Sequence, residues 1–521
     1  SMTSADAARL LTQGTWGPKK TEIDALAATS VDAWITAQYA IPATNFRAAE
    51  LDEFAYQRSL PNSRLGPNDN FQSFKQRAWF RTIPFANDQL RQRVAFALSQ
   101  IMVIGDDGLN QGQTEGAAYY WDILANNAFG NFRTLLEQVT LNPIMGSYLS
   151  SLRNAKADPL LGTNPDENFA REIMQLFTIG LVQLQPDGTL KLDASGLPIP
   201  TYTQSTITET AKVFTGWGFS STAANPNFRR GPIDNINPMM LYPAFHESAQ
   251  KTIVNGLVIP ANLGGIEDLK RTLDALFQHA NTAPFICRQL IQRLVTDNPS
   301  PGYVYRVAQK FVNNGSGVRG DLGAVVRAIL TDYEARSPTA LALPGYGKLK
   351  EPLLRYTALL RSFGATTPSG RNSVSNAYDN LYQAPQQSPS VFNFFEPGYV
   401  RPGPLAAAGL VAPEFQITDD TTAILVPNFL ANLIYATPAG GGLNAQFTFT
   451  LSLATEQALA VTPSVLLDHL SLVMTGGQLT PTTRTRVGTV LAGLNAATTP
   501  AERAQTAIHL IVTSPDGAIQ K

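Results

Sequence analysis

The chain has 521 residues, 44% of them hydrophobic, with 39 basic against 40 acidic side chains and a net charge of −1. That is enough apolar material for roughly two to four structural units, and with no basic stripe it excludes nucleic acid as a partner. Charged residues make up only 15%, against about 25% in an average soluble protein, so Ser, Thr, Asn, Gln and Pro must finish the surface, as is common in secreted proteins.

Short amphipathic helices open the chain. Ser4 can cap Ala5–Thr12, Pro18 starts a helix through Ala28, and Ser30 caps one through Tyr39 with Trp34 and Ile35 facing inward. Residues 58–72 read as a loop. Helices resume at Asn87–Ile104, Ala117–Asn126 and Asn131–Thr140. The apolar run Val94–Ile104 is broken by Ser99 and Gln100 and falls short of the ~20 residues a membrane span needs.

A long helix is expected at Glu167–Ile179, a small hairpin over 183–201 with Thr189–Leu192 as one strand, and a helix at Gln204–Thr215. Ser220–Gly264 reads as irregular with short strands. Helices return at Ile266–Gln278, Pro284–Thr296, Pro301–Asn313, Gly320–Thr331 and Pro352–Phe363. Residues 384–417 suggest an ordered loop, Pro438–Gly442 is of low complexity, and helices close the chain at Pro463–Met474, Thr480–Leu494 and Pro500–Thr513. The expected class is mainly α, a multi-helix orthogonal bundle with a few short β-hairpins and long ordered loops. Three segments are expected: 1–80 N-terminal, 81–405 carrying the polar motifs, and 406–521 packed on them.

Cys287 stands alone, so there is no intrachain disulfide and no cysteine zinc site. Ser1-Met2 reads as an expression remnant ahead of a trimmed start, with any native signal peptide already gone. No Gly-x-Ser-x-Gly, Walker loop or His-Glu-x-x-His motif occurs, which disfavours familiar serine hydrolases, nucleotide enzymes and zinc proteases.

Chemistry is then sought in four stretches. On the helix after Asn164, the side chains of Asn168, Arg171, Glu172 and Gln175 share a polar face opposite Phe169, Ile173 and Phe177. Glu209 lies on a helix that ends at Gly216, followed at once by Trp217, and a carboxylate beside an aromatic platform suits a sugar cleft. His246 and Lys251 sit in an irregular segment, where function often resides. Arg91 and Arg93 are placed to pair with buried carboxylates such as Glu172 or Glu209, and Ser388–Tyr399 either plugs the core or walls a groove.

Together these segments resemble one family, the bacterial domain of unknown function 1800. The resemblance rests on Leu90–Gln100, Asn168-Phe169-Ala170-Arg171-Glu172 with Leu176–Gly180, Tyr202–Trp217, His246 with Lys251, Asn281–Ile286 with Arg288, and Ser388–Tyr399, in that order. It implies export and a neighbouring exported protein of sulfatase-like character. Many relatives carry His where Phe177 stands, and a Trp-His-Asn-His segment where this chain reads Leu98-Ser99-Gln100-Ile101, so a histidine-rich site is not expected here.

The expected function is an exported, periplasmic or extracellular hydrolase acting on a glycan or cell-envelope polymer. Glu172 and Glu209 serve as acid and base or nucleophile with His246, while Asn168, Arg171, Trp217 and Lys251 bind substrate. No cofactor is required by that reading. Its alternatives are a divalent metal at Glu172, Glu209 and His246, or a non-catalytic binding or assembly protein of the envelope.

Overall fold

The computed structural model describes residues 2–437 and 444–521; the Pro438–Gly442 patch lies outside them. It is 54% helical, which establishes the mainly α class. The longer helices are α1 (Ser4–Gly14), α2 (Lys20–Ala27), α3 (Val31–Ala40), α4 (Phe46–Ser59), α5 (Gln72–Thr82), α6 (Gln89–Ser99), α7 (Thr114–Asn126) and α8 (Phe132–Leu141). They continue as α9 (Asn168–Gln175), α10 (Gln204–Val213), α11 (Gly265–Gln278), α12 (Thr282–Leu294), α13 (Pro301–Val312), α14 (Leu322–Thr331) and α15 (Pro352–Ser362). The last are α16 (Thr422–Tyr435), α17 (Pro463–Thr475), α18 (Pro481–Gly493) and α19 (Pro500–Val512).

Local chemistry sets most boundaries. Pro301, Pro352, Pro463, Pro481 and Pro500 each open a helix, because the fixed φ suits the first turn and the missing N–H would have been unpaired there anyway. Ser30 caps α3 as expected, whereas α1 is capped by a reciprocal Thr3–Asp6 pair rather than by Ser4. Helices α4, α5 and α16 form where no helix was expected, while α6 stops at Ser99 and α9 at Gln175, each short of its expected end.

One apolar core runs through the molecule, taking residues from Ala7 to Val512. At its centre α6 is buried on nearly every side. Trp16 meets Trp79 edge-on at 4.9 Å, and Trp79 meets Trp121 likewise at 6.0 Å, the T-shaped geometry that aromatic quadrupoles favour. The polar side chains of α6 find partners inside: Trp121 Nε1 donates to Gln92 Oε1 at 2.8 Å. Arg91 donates to the Ala125 carbonyl and Arg93 to that of Gln13, so neither pairs with Glu172 or Glu209 as expected. Cys287 is fully buried, and burial pushes its thiol far up.

Strands are two residues long and antiparallel: Trp217–Gly218 (β1) with Met240–Leu241 (β2), Lys251–Thr252 (β3) with Val258–Ile259 (β4), and Lys348–Leu349 (β5) with Ile519–Gln520 (β6). The expected hairpin over 183–201 is present as single bridges, Val182 to Pro200, Leu184 to Leu190 and Leu192 to Pro198. Among the described residues no helix is long and apolar enough to cross a membrane.

Candidate functional site

The sequence-selected polar residues do not converge: His246 and Lys251 join a buried knot, Gln175 lines a groove, and the others stand apart. His246 and Lys251 meet in a buried knot organised by Asp268, in the first turn of α11. His246 Nδ1 faces the Thr215 carbonyl at 2.8 Å and Nε2 faces Asp268 Oδ2 at 2.8 Å. A carbonyl only accepts, so Nδ1 donates. The three protons of the Lys251 ammonium find three acceptors: Asp268 Oδ2 at 2.8 Å and the carbonyls of Glu247 at 2.6 Å and Ala249 at 2.8 Å. Gly216, at φ +86°, lets the chain pass so close that an added Cβ would stand 2.8 Å from His246 N. His246 is 4% exposed. Neither ring nitrogen is left for a substrate, and Lys251 has no proton left to offer one.

Glu209 pairs with Lys212 at 3.0 Å on the half-exposed face of α10. Trp217 is 5% exposed in the core, so its ring is a plug rather than a sugar platform. Asn168 is half-buried at the start of α9, its backbone N–H donating to Asp166 Oδ1 at 2.8 Å. Glu167 does not pair with Arg171; it accepts from Gln204 and Thr208 of α10.

Glu172 differs from these. It is 5% exposed, and its Oε2 is buried without a hydrogen-bond partner. Burial raises its pKa, with the Arg171 charge opposing, and its own charge in turn contributes to raising that of Tyr202. Glu172, Glu209 and His246 share no hydrogen bond or ion pair with one another. Among the described residues no three His, Cys, Asp or Glu side chains stand together as a metal ligand set.

The second place is a groove. One turn on from Glu172, Gln175 and Leu176 line a cavity of about 210 Å³ whose other walls are Gln100 and Ile101 after α6, Phe285, Gln289 and Arg293 of α12, and Phe392, Glu396 and Pro397. It shares Gly180, Leu181, Phe285, Gln289 and Pro397 with an outer, more apolar section of about 660 Å³ under the 183–201 hairpin. The inner wall is braced by Gln100 Oε1, which accepts from both Arg293 Nη1 and Asn393 Nδ2 at 3.0 Å. Arg293 also lies over the Phe395 ring at 4.9 Å, leaving Gln100 Nε2 and Arg293 Nε buried and unpaired. Arg288 lines the outer section with no ion pair or hydrogen bond among the described residues, and burial lowers its pKa.

Each wall is held in place for a reason. Gly180, at φ +69°, ends the turn after α9, and a Cβ there would strike the Phe285 ring at 2.7 Å. Asn281 fastens the hairpin base, donating to the carbonyls of Ile179 and Val182 and accepting from Leu184 N. The loop over 384–399 is strapped down by glutamines, Gln386 to the Ala117 carbonyl and Gln387 to Asp106 Oδ2. That loop does both things expected of it. Phe394 and Phe395 plug a small separate core with Ile417, while Phe392 stays 41% exposed on the groove's lip.

A family model described as a protein of unknown function, DUF1800, matches residues 9–518. The chain belongs to the DUF1800 family. No curated protein and no solved structure matches it. In this DUF1800 protein the groove is built from segments that the sequence offered separately: the end of Leu90–Gln100, the helix tail Leu176–Gly180, the stretch from Asn281 through Arg288, and Ser388–Tyr399. Phe177, fully buried and edge-on to Phe169 at 6.4 Å, packs in the core. Three contributors were missed by sequence reasoning. Asp268 looks like an ordinary first-turn acid of an amphipathic helix, while Gln289 and Arg293 continue the polar spacing of Arg288 along α12 and could have been found from it.

Proposed function

We propose that this DUF1800 protein is an exported, non-catalytic binding protein that holds an extended glycan or envelope-polymer chain in the groove between α9, α12 and the 384–399 loop. The observation that carries this reading is the meeting of four sequence-distant segments on one groove with a braced Arg293–Gln100–Asn393 wall. Its chemistry suits sugars. Gln175 and Gln289 offer amide donors and acceptors to hydroxyls, and Phe285 and Phe392 offer rings to apolar sugar faces. Low charge and a polar uncharged surface support export, and a sulfatase-like exported protein is the partner proposed to act on the held chain.

Affinity electrophoresis in gels containing neutral, acidic and amino-sugar polysaccharides tests it. Retardation by at least one polymer, lost in Gln175→Ala and Phe392→Ser, is expected; unchanged mobility in all of them would end the reading. One observation favours hydrolysis as a second reading: Glu172, an unpartnered carboxyl with a raised pKa, lies one turn from Gln175, as a general acid requires. Release of reducing ends by the wild type, abolished in Glu172→Gln with binding intact, would establish it.

A further inference from the structure

Away from the groove, α15 carries two cations into a cavity where the α1–α2 turn meets the C-terminal helices. Lys350, just before α15, and Arg355, in its first turns, both line that cavity. Each makes a single side-chain hydrogen bond: Lys350 Nζ to the Met474 carbonyl at 2.9 Å, and Arg355 Nη2 to the Val512 carbonyl at 2.7 Å. Arg355 Nε is buried with no partner. Among the described residues no carboxylate forms an ion pair with either group, and the charge acting on Lys350 is the like charge of Arg355.

Both side chains are half-buried on the wall of one cavity, and like charges drawn partly out of water together favour an anion nearby. The carbonyls they touch end α17 and α19, and each helix C-terminus carries about half a negative charge. Those two ends offset about one of the two positive charges and leave the other unmatched. The walls around them include Trp16, Leu354, Phe363 and Val473, a setting in which an unmatched charge is costly and a matched one is held firmly. The space measures about 50 Å³, room for a few waters or one compact oxyanion.

We infer that Lys350 and Arg355 form a binding site for a single oxyanion group, distinct from the groove, at the seam between α15 and the C-terminal helices. The anion supplies the missing charge and ties α17 and α19 to α15. Burial and the neighbouring arginine bring the Lys350 ammonium down to about 8, as expected of a cation awaiting its counter-ion.

Thermal unfolding of the whole chain tests this, with sodium sulfate, phosphate or acetate each set against sodium chloride at equal ionic strength. At least one oxyanion is expected to raise Tm by about 2 °C over chloride, and the best of the three tells a tetrahedral group from a carboxylate. The oxyanion-specific shift is expected to vanish in Lys350→Met and Arg355→Met. No shift over chloride in the wild type, or equal shifts in wild type and both variants, overturns the site. If a variant fails to fold, wild-type crystals soaked in selenate decide the matter. Anomalous density in this cavity is the expected result, and its absence there overturns the inference.

Discussion

The knot around Asp268 and the groove beside Arg293 are made from the same kinds of side chain, yet they differ in what is left over. In the knot, His246 and Lys251 spend every proton on Asp268 and backbone carbonyls, and of the three side chains Asp268 alone keeps an unpartnered atom, Oδ1. Along the groove, Gln100 Nε2 and Arg293 Nε are buried with no partner, and the half-buried Arg288 makes no ion pair among the described residues. A buried polar group without a partner costs about 1–3 kcal/mol, and those of Gln100 and Arg293 stand in the wall of a cavity. Residue type therefore says little about which polar cluster is closed within the protein. Unspent hydrogen-bonding capacity says more.

The largest effect should come from attacking the knot. Asp268→Ala strands Lys251 and His246 without their shared acceptor and is expected to cost about 3–5 kcal/mol in urea unfolding. A loss below about 1 kcal/mol would mean that the knot is not the structural half of the pair. Next, Gly180→Ala forces a Cβ into Phe285 at a left-handed position and is expected to cost about 1–3 kcal/mol, with weaker retention in polysaccharide gels.

Glu172 gives a pH-dependent contrast. Its folded pKa is raised, so the native state keeps a proton that the unfolded chain gives up near pH 4.3, and stability falls as pH rises above that value. Glu172→Gln is therefore expected to be more stable than wild type at pH 8 and equal to it below about pH 4, read from urea midpoints. A constant difference at all pH values would remove the raised pKa from the account. The smallest effects belong to the groove's open groups. Phe392→Ser and Arg288→Gln should each change stability by no more than about 0.5 kcal/mol, since neither completes a packed contact or pair. For Phe392→Ser the loss should instead appear in polysaccharide binding.

Much of the fold was legible in the sequence because its signals are local. Proline at the first helical position and Ser30 before α3 marked boundaries within a residue or two. The missed helices carry contrary signals. α4 buries two acids, Glu50 and Glu53, which breaks its apolar pattern, and α16 contains Pro427. α9 was drawn too long because its apolar spacing continues through Phe177 although the backbone leaves the helix at Leu176. For the candidate site, the sequence showed the right segments but not how they meet. Gln100 and Arg293 are 193 residues apart, and Gln100 and Asn393 are 293 apart, separations that no periodicity encodes. The residues that looked most chemical, His246 and Lys251, were the ones whose bonding is complete within the protein.

One small contact governs the order in which this molecule can be finished. Gln520, in the two-residue strand β6, donates to the carbonyls of Leu294 and Val295 at the end of α12, the helix that carries Phe285, Arg288, Gln289 and Arg293. β6 also closes the ladder with Lys348, whose ammonium caps the same helix end through the carbonyls of Gln292 and Arg293. During synthesis the groove's central helix therefore waits for residue 520 before its last carbonyls are covered. The end of α12, one wall of the groove, is closed by a strand 226 residues further along the chain, so a nascent chain that stops short of that strand leaves those carbonyls uncovered.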